Sequence, residues 1–209
     1  MLEAEGIRIP GGRLVRTLNE ALSAAAGIGY PVVIKAQAGA LAHKTEAGGV
    51  VLNLADADAL AAAWTRLHAN IARAQPSLVL DGVLVEKMSA KGLELVVGGR
   101  RDPRWGPVVL IGLGGIMVET LGDVRLVAAD ASREEFVAEF GRLKASKMLY
   151  GFRNQPPVDV EAAADVAVAI GRLLLSTPQI TDVEINPLMV YERGRGAVAL
   201  DALIVSAGS

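Results

Sequence analysis

The sequence contains no cysteine. Disulfides, thiolate metal sites and cysteine nucleophiles are therefore excluded. Aromatic residues make up only 4% of the chain, too few for the stacking platforms that hold single-stranded nucleic acid. The formal net charge is −2, so there is no global basic field to attract a phosphate backbone. No nucleic-acid partner is expected. No apolar run approaches the roughly 18 residues that cross a bilayer, and no membrane partner is expected. The first residues, MLEAEGIRIPGG, lack the basic start and apolar stretch of a signal peptide. With the missing cysteines, this gives a cytoplasmic expectation. Histidine is scarce as well: His43 and His68 are the two in 209 residues.

What is present is 52% hydrophobic, mostly Ala, Val and Leu, enough to build one core or two small lobes. Thr17 and Glu20 form a capping-box pattern ahead of an Ala-rich helix ending near Gly27 or Gly29. A short buried strand follows at Val32–Ile34, and a second at Gly49–Leu54. Asp56 caps a long helix through Ala74, with Leu60, Trp64, Leu67 and Ile71 on one face. Gly82–Met88 and Gly92–Gly98 read as strands, and RRDPRWGP as a polar turn. An apolar strand at Val108–Gly112 runs into GLGGIMVET, and a short strand is expected at Val124–Val127. Ser132 caps a helix through Leu143 with Glu134 and Glu135 in its first turn, and another helix is expected over 144–150. Asp159 caps an Ala/Val-rich helix to about Leu175. Two final strands, Ile180–Tyr191 and Ala197–Val205, flank a turn at Arg193–Gly196. Strands and helices mix without strict alternation and the chain closes on a hairpin, so the fold class is α+β.

Chemistry concentrates first in Val33–Val50, VIKAQAGALAHKTEAGGV. Small side chains let backbone N–H groups approach a ligand, and Lys35 and Lys44 neutralise an anion. This points to a polyphosphate site. It is not a P-loop, because Ala38 and His43 stand where that pattern needs glycine. Gly112–Met117 is not a dinucleotide fingerprint, since Met117 fills the third glycine position. From the residues alone, Lys35 reads as a phosphate contact or a lysine snorkelling at a strand end. Glu86 and Glu94 are functional groups or solvated strand charges. Arg100, Arg101 and Arg104 read most simply as a solvated cluster, and His68 as a surface residue. His43 reads as a structural or solvated loop histidine, with a chemical participant as the alternative.

The second concentration is the C-terminal hairpin. In DVEINP, alternation puts Asp182, Glu184 and Asn186 on one face. A turn centred on Arg193–Gly194 sets Asn186 directly opposite Asp201, with Cβ atoms about 5 Å apart. An amide oxygen and a carboxylate are hard ligands suited to Mg²⁺ that also holds substrate phosphates. The alternative is a polar hairpin face in water.

Taken together and in order, GIRIP, GYPVVIKA, HKTEAGGVVLNL, GVLVEKM, GLELVVGGRRDPRWGPVVLIGLGGIMVE, GFRNQPP, DVEINPLMV and VALDA resemble the ATP-grasp domain, or β part, of ADP-forming acyl-CoA synthetases of the acetate–CoA ligase type. That family is related to the β subunit of succinyl-CoA synthetase. The resemblance covers nearly the whole chain. It implies an ATP-grasp fold over residues 1–209, with lobes 1–88 and 89–209 holding ATP or ADP and Mg²⁺ between them. Lys35 then contacts nucleotide phosphates with Lys44, while Glu86, Met88 and Glu94 bind the nucleotide, Glu86 near the adenine. Asn186 and Asp201 match the Mg²⁺ ligands. His43 resembles a phosphohistidine that passes a phosphoryl group between a histidine of the α part and ADP. Gly114, Gly115 and Glu119 would line the place where the α part's histidine loop docks. LGDVRLVAADAS is shorter than the family's usual stretch and lacks its proline, and Asn154 replaces a common glycine. CoA-binding and α-type domains are not in this sequence, so an α-type partner subunit or a longer polypeptide is implied. A second reading is a non-catalytic nucleotide-binding module of a synthetase-like protein acyltransferase. A third, an ATP-grasp ligase without a phosphohistidine, is disfavoured by HKTEAGG.

Overall fold

The computed structural model describes residues 1–39, 41, 44–115 and 122–207. The chain divides into two compact units, Pro10–Ala90 and a larger one made of Met1–Ile9 with Lys91–Ser209. The expected lobes, 1–88 and 89–209, differ from this chiefly at the start. The first nine residues belong to the larger unit because Ile7 is buried in its core. Arg172 also donates to the Glu5 carboxylate, and Ala199 N–H to the Arg8 carbonyl.

In the smaller unit, β1 (Gly12–Val15), β2 (Val32–Gln37), β3 (Val50–Leu54) and β4 (Gly82–Lys87) form an antiparallel sheet in the order β1-β4-β2-β3. Strand β2 runs three residues beyond its expected end, which puts Lys35 inside the ladder and not at its rim. The helices are α1 (Leu18–Ile28) and α2 (Ala57–Ala74). Thr17 accepts from Glu20 N–H while the Glu20 carboxylate accepts from Thr17 N–H, the reciprocal cap expected from sequence. Asp56 accepts from Ala59 N–H to start α2. Leu60, Leu67 and Ile71 reach the core with Ile34, Val83 and Val85, while Trp64 is only partly covered and stacks on exposed His68. That stack is the surface position expected for His68.

In the larger unit, β5 (Leu93–Asp102), β6 (Gly106–Leu113), β7 (Val124–Ala128), β8 (Ile180–Val190), β9 (Ala197–Ala199) and β10 (Ala202–Ser206) form a second antiparallel sheet. Its order is β10-β8-β5-β6-β7, with β9 on β8. Helices α3 (Arg133–Gly141) and α4 (Val160–Ser176) pack on it, burying Phe136, Phe140, Ile170 and Leu174 against Val97, Ile111 and Ile185. Sheets that are wholly antiparallel, with helices packed on them, match the α+β expectation.

Two sequence expectations change here. Strand β5 does not stop at Gly98, because its arginines have partners. Arg100 Nε lies 2.6 Å from Asp182 Oδ1. Arg101 donates to the carbonyls of Leu174, Thr177 and Ile180, placing a cation at the negative end of α4. The turn shrinks to Pro103–Trp105, where the Asp102 carboxylate accepts from Trp105 and Arg104 N–H. Those two bonds hold the Asp102 carboxyl below its usual range. The helix expected over 144–150 is only a 3-10 turn, Ser146–Met148. Buried Asp123 accepts the N–H groups of Lys144 and Ala145, at 2.9 Å each, and so caps the start of this turn. No described helix is long and apolar enough to cross a membrane.

Candidate functional site

The larger unit carries the hairpin, and its register is the one the turn centre predicts. Leu203 faces Glu184, Ala202 faces Ile185, Ala199 faces Leu188 and Ala197 faces Val190. Asn186 N–H donates to Asp201 O at 3.1 Å, which places these two residues opposite each other. The return strand, expected as one piece, is split into β9 and β10 at Leu200–Asp201. The cause is Pro187. Leu200 N–H donates to the Pro187 carbonyl, but proline has no N–H to return.

The register is pinned from elsewhere in the chain. Asp159 caps α4 through Ala162 N–H, as expected. Its other oxygen accepts from both Gly194 and Gly196 N–H at 2.9 Å. Both glycines have positive φ, 82° and 79°, which lets the turn offer two N–H groups to one oxygen. Sequence reading took Asp159 as a helix cap alone.

On β8 the burial alternates, with Val183 and Ile185 inside and Glu184 and Asn186 exposed. Asp182, Glu184 and Asn186 line an open hollow of about 510 Å³ together with Val96, Gly98 and Arg100. Asn186 Nδ2 donates to Glu184 Oε1 at 3.3 Å, which leaves the amide oxygen as the outward acceptor. Asp201 Oδ1 accepts from Ala202 N–H. Among the described residues no three acidic or histidine side chains gather as a metal cage. A carboxylate with an amide oxygen fits a cation that takes its remaining ligands from phosphate or water, as Mg²⁺ does.

Nearby in this unit, Glu94 and the glycine segment are brought together. Gly114 N–H donates to Glu94 O at 2.7 Å, and a Cβ on Gly115 would lie 2.6 Å from Glu94 Oε2. Glu94 is itself exposed. Glu119 lies outside the described residues.

In the smaller unit Glu86 is not a solvated strand charge. It is 5% exposed, and its carboxylate meets the Lys35 ammonium at 2.5 Å. The room for it comes from Gly12, directly opposite on β1, where a Cβ would sit 2.6 Å from Glu86 Cγ and 3.1 Å from the Val85 carbonyl. Sequence reading missed Gly12, since nothing in IPGGR shows which strand lies beside it. Gly12→Ala is expected to destabilise the protein by about 1–3 kcal/mol through overpacking. A thermal melt checks this, and an unchanged midpoint would show that Glu86 has other room. Met88 N–H donates to the Pro31 carbonyl at 3.1 Å, so Met88 can offer a ligand its carbonyl or side chain but not its backbone donor.

The loop after β2 closes where Gly49 N–H donates to Lys44 O at 2.8 Å, and Gly49 O accepts from Ala36 N–H. This is the return into the sheet expected at Gly48-Gly49. Asn70 of α2 pins the exit by donating to Gly48 O, a contact no local pattern signals. His43 lies outside the described residues.

The strand orders and the antiparallel sheets define the ATP-grasp fold. The ATP-grasp domain family matches residues 1–205. The chain is 37% identical over 205 residues to the β subunit of ADP-forming acetate–CoA ligase I from Pyrococcus furiosus, covering 98% of this chain and 88% of that one. It is 42% identical to a trans-feruloyl-CoA synthase of an unknown prokaryotic organism, covering 98% of this chain. It spans only 29% of that protein's length. Acetyl-coenzyme A synthetase 1 of Ca. Korarchaeum cryptofilum, solved with coenzyme A and Ca-AMPCP, superposes with a TM-score of 0.94 at 33% identity, covering 99% of this chain and 89% of that one. Another complex of that synthetase holds Mg-AMPPCP, with its phosphohistidine segment pointing towards the nucleotide site. The chain belongs to the ATP-grasp family, among the β subunits and β parts of ADP-forming acyl-CoA synthetases.

Proposed function

We propose that this chain is the nucleotide-handling component of an ADP-forming acyl-CoA synthetase, which converts acid, CoA and ATP into acyl-CoA, ADP and phosphate. The observation that supports the reading is the hairpin register, in which Asn186 and Asp201 are backbone-paired across the hairpin in a chain of this family. Lys35 and Lys44 neutralise nucleotide phosphates, Met88 and Glu94 contribute to nucleotide binding, and Glu86 acts in the site through Lys35, its salt-bridge partner. With Mg²⁺ held by Asn186 and Asp201, charge on the phosphate oxygens is neutralised during transfer. Phosphoryl transfer needs little more than such positioning and charge neutralisation.

His43 is the phosphoryl carrier in this reading. In the direction that consumes ATP, a neutral imidazole nitrogen attacks the γ-phosphorus of ATP and ADP leaves. The α part's histidine then attacks that phosphorus and His43 leaves, and the reverse order returns the phosphoryl group to ADP. Gly114, Gly115 and Glu119 meet the α part's histidine loop, and that α-type partner carries the CoA-binding and phosphohistidine domains. It is a separate subunit or the remainder of a longer chain, and the location is cytoplasmic.

The test is labelling. The chain, its α-type partner and [γ-³²P]ATP are expected to give an acid-labile phosphate on this chain, lost in His43→Ala while nucleotide binding persists. Unchanged labelling and turnover in that variant would remove His43 from the mechanism.

A further inference from the structure

The smaller unit puts a carboxylate where a phosphate-binding site wants none. Lys35 and Glu86 are 7% and 5% exposed, and their charged atoms are 2.5 Å apart. The contact is a buried salt bridge. It is also built in by three strands. Lys35 on β2 faces Leu84, and Glu86, two positions along β4, faces Val33. The two side chains therefore leave the same face of the sheet as diagonal neighbours. On its other side Glu86 faces Gly12, whose missing Cβ gives the carboxylate its place.

A buried ammonium without a counter-ion is costly, and Glu86 removes that cost in the ligand-free protein. Whatever stabilises the free state is subtracted from the free energy of binding. An arriving phosphate must share the ammonium with Glu86 and is itself repelled by the carboxylate. We propose that Glu86 is a built-in competitor for Lys35, a positioning residue that holds the ammonium ready and weakens the grip on phosphate so that nucleotides exchange. The inference rests on the nucleotide reading of Lys35 given above.

The competitor role has a sign opposite to that of a direct nucleotide contact. In Glu86→Gln the ligand-free protein loses its counter-ion and melts lower, but it binds Mg·ADP and Mg·tripolyphosphate about tenfold tighter. Tripolyphosphate has no base or ribose, so a gain shared by both ligands places the effect on the phosphate side. Lys35→Met/Glu86→Gln removes both charges. It is expected to recover most of the melting temperature lost in Glu86→Gln and to bind no tighter than Lys35→Met alone. If Glu86→Gln does not fold, Glu86→Asp withdraws the carboxylate by one methylene and is expected to tighten both ligands by a smaller factor, about threefold.

Isothermal calorimetry and thermal melts of the intact chain read all four variants. Weaker binding of Mg·ADP with unchanged tripolyphosphate in Glu86→Gln, or in Glu86→Asp where Gln does not fold, would make Glu86 a base or ribose contact and overturn the proposal. Weaker binding of both ligands would overturn it too, as the mark of a carboxylate that only aligns Lys35. Wild type that binds neither ligand would remove the nucleotide reading as well, a result distinct from a wild type that binds and a variant that does not improve.

Discussion

Asn186→Ala combined with Asp201→Ala is expected to abolish Mg²⁺-dependent nucleotide binding and to leave the fold intact. Those two effects separate because of where the residues sit. Asn186 is exposed on the sheet's open face, and its own backbone bond to Asp201 O survives a change of side chain. The side-chain bonds lost include Asn186 Nδ2 to Glu184 and Ala202 N–H to Asp201, one solvent-exposed and one part-buried. These two contribute about 1–2 kcal/mol. The binding loss is expected to be larger, because the proposed cation loses both of its protein oxygens. Each single variant is expected to lose at least about tenfold, or 1.4 kcal/mol. Calorimetry with ADP in Mg²⁺ and in EDTA checks the result. A double variant that keeps its Mg²⁺-dependent affinity would move the metal away from this hairpin.

The second large effect comes from a residue that touches no ligand. Asp159→Ala removes one carboxylate that serves three N–H groups, the first turn of α4 and both ends of the Gly194–Gly196 turn. Bonds to a charged acceptor contribute about 1.5–3 kcal/mol each when well made, and a lost helix cap costs about 1 kcal/mol. Part of this is recovered by water at the exposed Gly194 N–H, so a net loss of about 2–4 kcal/mol is expected. In a chain of this size that lowers the melting temperature by roughly 5–15 °C. Asp159→Asn keeps a single acceptor oxygen, which can serve the helix or the turn but not both, and is expected to fall midway. Because the turn sets which residues face each other, Asp159→Ala should also weaken Mg²⁺-dependent nucleotide binding. A variant that melts lower but binds normally would show that the ladder from β8 to β10 holds its register without the turn.

Much of the site was legible before any coordinates. Alternation over Asp182–Asn186 and the turn at Arg193–Gly196 gave the face and the pairing of Asn186 with Asp201. Capping at Thr17, Asp56, Ser132 and Asp159 marked four helix starts, each with the bond expected. Elements went wrong where a distant group intervened. Strand β5 continued because Arg100 and Arg101 found partners on β8 and at the end of α4. The helix expected after α3 is a single 3-10 turn, Ser146–Met148, whose leading N–H groups are held by Asp123.

The sequence by itself determined the α+β class, the polar face of the hairpin and, through ordered motifs, the family. These are properties of neighbours along the chain: side-chain period, cap chemistry and turn residues act over a few positions. Only the tertiary structure decided what Lys35 and Glu86 do in the absence of ligand. Sequence offers each as a nucleotide contact or a strand charge with no link between them, and the order β1-β4-β2-β3 sets them diagonally on one face, with Gly12 alongside. Strand order joins residues far apart in sequence, and a buried charge is costly enough that its partner, wherever it lies in the chain, defines its role.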